Sequence, residues 1–72
     1  MKSSLNTVLK KLRKERGMSQ EEIAKDLNIS QRAYSYYETG ERQPSIELII
    51  DMAEYFQIPI DLLVGRYEKK SQ

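Results

Sequence analysis

Residues 19–38 read S-Q-E-E-I-A-K-D-L-N-I-S-Q-R-A-Y-S-Y-Y-E, and this stretch decides the fold. Ser19 and Glu22 form an S-x-x-E capping box, which predicts a helix starting at Gln20. Ile23, Ala24 and Leu27 fall on one face of that helix. Asn28-Ile29-Ser30 breaks the period. Asn tolerates unusual backbone angles, and the Ser30 hydroxyl can accept a backbone N–H to cap a second helix. From Gln31 the helical period resumes, with Ala33, Tyr34 and Tyr37 on one side and Gln31, Arg32, Ser35 and Tyr36 on the other. Gly40 is suited to the left-handed position that closes this helix after Thr39.

Upstream, Leu5, Val8, Leu9 and Leu12 have the i, i+3, i+4, i+7 spacing of a buried stripe, so the spacing predicts a first helix over 5–16. Lys10, Lys11 and Lys14 lie off that stripe. Gly17 stops the helix, and Arg13, Lys14 and Arg16 suit the negative end of its dipole. Downstream, Ser45 can cap a fourth helix running to about Phe56, with Ile46, Ile49, Ile50, Ala53 and Phe56 as its apolar face. Gln57-Ile58 is a break. Pro59 fits the first turn of a last short helix that points Leu63 and Ile60 inward and ends at Gly65. Residues 1–4 read as a frayed start and 66–72 as a loose polar tail. No stretch alternates like a strand. The expectation is one all-α domain over 1–72, a compact five-helix bundle with its core at about 5–65.

The 72 residues contain no Cys and no His, which removes disulfides, thiolate metal sites and the commonest general base and metal ligand. No catalytic constellation of carboxylates remains either, so an enzyme is not expected, nor any cofactor, metal or small-molecule ligand. No stretch is long and apolar enough for a membrane-spanning helix, and the start lacks an apolar signal region. Net charge is only +1, but it is unevenly placed: residues 1–33 hold eight Lys/Arg against four Asp/Glu, and residues 34–72 hold four against seven. That asymmetry permits a basic face for an anionic partner or, equally, an ordinary solvated surface.

Two short helices across a tight turn match the helix-turn-helix unit, whose second helix can place Gln and Arg against base edges in the major groove. The wider pattern resembles the Cro/C1-type (XRE) helix-turn-helix family of phage repressors and bacterial regulators. The segments R-x-x-x-G-x-S-Q-x-x-I-A (from Arg13), S-x-x-x-Y-S-x-Y-E-x-G (from Ser30) and R-x-P-S (from Arg42) occur in order, and the likeness spans about Leu5 to Leu63. It implies a lambda-repressor-like five-helix bundle that binds double-stranded operator DNA as a dimer. It places Gln31, Arg32 and Tyr36 at base-facing positions, Tyr36 being a departure because a bulky aromatic replaces the usual polar residue. It places Gln20, Ser30, Ser35, Thr39, Gly40 and Arg42 near phosphates, and it pairs Arg13 with Glu38 across the first and third helices. The rival role for Arg13 is a phosphate contact.

Leu48, Met52, Tyr55, Leu62, Val64 and Tyr67 do not fit the core stripes. All but Met52 are candidate contacts of a weak homodimer. The expected function is a sequence-specific transcriptional regulator, a repressor on a short palindromic site, bacterial or phage-encoded, cytoplasmic and nucleoid-associated. The alternative is a protein-interaction module, such as an antitoxin or adaptor, with a protein partner and DNA binding secondary. The modest net charge and the exposed aromatic Tyr36 favour that alternative; the donor-rich face of the third helix opposes it.

Overall fold

The computed structural model describes residues 5–64, and every described element is helical. The order is α1 (Leu5–Glu15), α2 (Gln20–Asp26), α3 (Gln31–Thr39), α4 (Ile46–Phe56) and α5 (Ile60–Leu63). The five-helix all-α architecture matches the expectation. Gly65, Tyr67 and the two chain ends lie outside the described residues.

Each helix starts or stops for a local reason. Gly17, at φ +66°, takes the left-handed conformation that L side chains avoid and so ends α1. Ser19 caps α2 through a reciprocal box: its hydroxyl accepts from the Glu22 N–H, and its own N–H donates to the Glu22 carboxylate at 2.8 Å. Ser30 and Ser45 cap α3 and α4 by accepting from the N–H groups of Ala33 and Leu48. Gly40, at φ +87°, closes α3, and Gln57, at φ +60°, closes α4. Pro59 stands just outside α5 as its N-cap, not within its first turn.

The core is built from Leu5 and Leu9 of α1, Ile23 and Ala24 of α2, Tyr34 of α3, Met52, Ala53 and Phe56 of α4, and Leu63 of α5. Two expectations about α4 and α5 are corrected here. Ile46 and Ile50 are 70% and 42% exposed, whereas Met52 is fully buried. The polar residues explain why. Glu47, Asp51 and Glu54 form an acidic stripe, and the face opposite it carries Ile49, Met52, Ala53 and Phe56. Ile46 and Ile50 flank the acidic stripe and face water. Ile60 of α5 is likewise exposed, not inward.

Arg16 is also placed differently from its expected role at the end of α1. Its guanidinium donates to the Phe56 carbonyl at 2.9 Å and lies over the Phe56 ring, satisfying one of the last carbonyls of α4.

The rotated face of α4 gives a test. Met52→Ala opens a core cavity and should cost about 2–5 kcal/mol. Ile46→Ala should cost less than about 0.5 kcal/mol. Urea unfolding of the two variants checks the order; the reverse order would contradict this packing.

Candidate nucleic-acid interface

The site is assembled around a carboxylate on α3. Glu38 is 7% exposed, although it is charged. Arg13 of α1 approaches it with two N–H groups, Nε to Oε2 at 2.6 Å and Nη2 to Oε1 at 3.2 Å. Gln20, the first residue of α2, donates its amide to Oε1 at 3.0 Å. Tyr34, one turn earlier on α3, donates its hydroxyl to Oε2 at 2.8 Å. Arg13 also donates to the Met18 carbonyl at 3.0 Å, which ties down the α1–α2 connection. One carboxylate therefore joins three helices with both oxygens used.

The electrostatics follow. Burial alone would raise the Glu38 pKa, but the donors from Arg13, Gln20 and Tyr34 outweigh it and hold the carboxyl below its ordinary value. The hydrogen bond to Glu38 raises the Arg13 pKa, and burial followed by the same carboxylate pushes the Tyr34 hydroxyl up. All three groups are thus fixed in their ordinary ionisation states: anionic Glu38, cationic Arg13 and neutral Tyr34.

The α2–α3 connection is rigid. Ile29 and Asn28 donate their N–H groups back to the Ala24 and Lys25 carbonyls at 2.9 and 3.1 Å, and Asn28 takes φ +64°. With Tyr34 buried and Tyr37 packed against the core, the opposite face of α3 must point outward. Gln31 and Arg32 are exposed at its start, and Ser35 and Tyr36 are half-buried beside them.

The residues expected near phosphates divide into two groups. The Ser30 oxygen accepts from Ala33, which leaves its own proton free to donate, and the Gln20 amide keeps a second N–H. Thr39 and Gly40 use donors within the turn that ends α3. The Gly40 N–H is used on the Tyr36 carbonyl at 3.0 Å, and the Thr39 hydroxyl donates to the same carbonyl at 3.1 Å with Glu41 close by. In this arrangement both donors are engaged within the chain. Arg42 is exposed, and its guanidinium lies over the Tyr36 ring, 5.0 Å from the centroid.

The candidate dimer residues also divide. Leu48 and Tyr55 pack against the core, and the Tyr55 hydroxyl donates to Asp26 at 2.7 Å; burial, then this bond, push its pKa up to about 12. These two are therefore largely used within the chain. Leu62 is exposed and Val64 half-buried. Tyr67 lies outside the described residues. Sequence reasoning missed the Tyr55–Asp26 bond, the Arg16–Phe56 contact and the Arg42–Tyr36 stack, because each joins residues whose proximity only the folded chain creates.

The sequence profile of the helix-turn-helix family matches residues 9–63. This chain belongs to the Cro/C1-type helix-turn-helix family. Among its relatives, the cryptic phage CTXphi transcriptional repressor RstR of Vibrio cholerae is 33% identical over 60 residues, covering 83% of this chain and 54% of the relative. The HTH-type transcriptional regulator AnsR of Bacillus subtilis is 37% identical over 62 residues, covering 86% and 53%. A crystal structure of a transcriptional regulator from Listeria innocua superposes with a TM-score of 0.85 at 40% identity, covering 90% of this chain and 61% of that one. The chain spans about half the length of the curated relatives it matches.

Glu38→Gln should cost about 3–5 kcal/mol by stranding the Arg13 charge. The pH sign is fixed by the lowered Glu38 pKa. Its contribution is present in full above the ordinary carboxyl value and is lost as pH falls through the lower folded-state value. The stability gap between wild type and Glu38→Gln should therefore shrink in acid, as read by urea unfolding across the acid range. A gap that widens in acid would contradict the network.

Proposed function

We propose that this chain is a sequence-specific, double-stranded DNA-binding transcriptional regulator, a repressor acting as a dimer on a short palindromic operator. The observation that carries the reading is the exposure of Gln31 and Arg32 at the start of α3, on a helix clamped from beneath through Glu38. An α-helix with its side chains is about 10–12 Å across, which lets α3 enter a major groove roughly 12 Å wide. Arg32 supplies the fork that matches guanine O6 and N7, and Gln31 the amide that matches adenine N6 and N7. Ser30, Gln20, Ser35 and Arg42 fix the register on phosphates. The repressor named among the relatives supports the direction of control.

For the dimer, Leu62 and Val64 remain the available members of the expected set, and the exposed Ile60 of α5 and Ile50 of α4 add apolar surface. A two-fold pairing would set the two reading helices about 34 Å apart, one turn of DNA.

Selection of bound sequences from a random duplex library, at two salt concentrations, tests the reading. One palindromic motif with half-sites about one turn apart, bound less tightly as salt rises, is the expected result. Recovery of no motif would overturn it in favour of a protein-interaction module. On the selected site, Arg32→Ala should cost about 1–3 kcal/mol and relax preference at one base pair. A variant that keeps the wild-type ratio of cognate to scrambled binding would remove Arg32 from the reading face.

A further inference from the structure

Tyr36 stands at a base-facing position of the reading helix, yet its ring face is covered by Arg42. The backbone holds the two together as well: the Arg42 N–H points to the Tyr36 carbonyl at 3.4 Å, within the turn that Gly40 forms after α3. Tyr36 and Arg42 share a hollow with Ser30, Arg32, Ala33 and Tyr37. Two groups around it can donate to an anion while Arg32 faces a base: the guanidinium of Arg42 and the Ser30 proton left free by capping. Among the described residues, no carboxylate forms an ion pair with either arginine. Glu41, the nearest acid in sequence, lies against the Thr39 hydroxyl instead.

We propose that Tyr36 is a positioning residue for Arg42, not a base reader, and that Arg42 and Ser30 border a notch that takes one backbone phosphate of duplex DNA. This rests on the DNA-binding reading above and specifies what the third outward position of α3 does. A guanidinium stacked on an aromatic ring uses its face and leaves its in-plane N–H edge free, the edge that grips a phosphate in bidentate fashion. The stack restrains a side chain that is otherwise long and exposed on a loop, so the contact is organised before DNA arrives. A tyrosine at this position thus converts a place for base readout into a support for charge.

The test measures dissociation constants against salt concentration on the selected duplex and on a scrambled one. It uses wild type, Tyr36→Phe, Tyr36→Leu, Arg42→Ala and the double variant Tyr36→Leu/Arg42→Ala. Arg42→Ala should reduce the steepness of the log–log salt dependence by about 0.9, the value of one phosphate contact. Tyr36→Leu, which changes no charge but removes the ring, should reduce it in the same direction and weaken cognate and scrambled binding by similar factors. Tyr36→Phe should keep the wild-type slope, because the ring carries the stack. The double variant should match Arg42→Ala alone. Tyr36 is half-buried at the surface, and leucine preserves most of its apolar contact; thermal unfolding of each variant monitors the fold.

A Tyr36→Leu protein with the wild-type slope, or one that changes preference at a single base pair, overturns the assignment while leaving the DNA-binding reading intact. Wild-type protein that binds no duplex overturns both.

Discussion

The constraint on which the rest depends is the burial of one negative charge. Glu38 is held under the outward face of α3, and a carboxylate there is tolerable only if it is fully paired. Arg13, Gln20 and Tyr34 supply that pairing from three helices. The network orders the bundle because its members have no comparable alternatives inside the fold: moving α1 strands an arginine, moving α2 withdraws an amide, and turning α3 exposes a tyrosine. Apolar packing alone tolerates small slips of one helix over another; directional bonds to a single carboxylate do not. A domain this small gains specificity from such a device more than it could from a few additional methyl groups.

Much of the fold was legible in the sequence because its signals are local. The capping box at Ser19 and Glu22, the serines before α3 and α4 and the glycine after α3 each act within one helical turn, so their spacing along the chain is their spacing in space. The α4 face was less legible. Eight of the eleven residues of α4 are apolar, so two overlapping stripes can be drawn through them. Counting apolar positions favoured the one beginning at Ile46. The acidic positions discriminate better, since Glu47, Asp51 and Glu54 mark the side that must face water and place Met52 opposite.

The candidate interface was legible to the same degree and for a related reason. Gln31 and Arg32 stand out because helical period alone sends them away from Tyr34 and Tyr37. What the sequence could not reveal is how the donors are distributed once the chain has folded. Thr39 and Gly40 give theirs to the Tyr36 carbonyl, and Tyr36 gives its ring face to Arg42. A list of polar residues at suitable positions overcounts available donors, because a turn that closes a helix uses several of them to satisfy its own backbone.

The α2–α3 connection has a consequence for how such a domain can change over time. Asn28 and Ile29 return their N–H groups to α2, and Ser30 starts α3, so the angle between the two helices is set by main-chain bonds and one cap. Gln31 and Arg32 play no part in those bonds through their side chains. On the proposed reading, the domain is divided into a frame and a set of letters mounted on it. Such letters could be exchanged while the frame keeps its shape, so a scaffold of this kind would acquire a new address through a few substitutions without passing through an unfolded intermediate sequence.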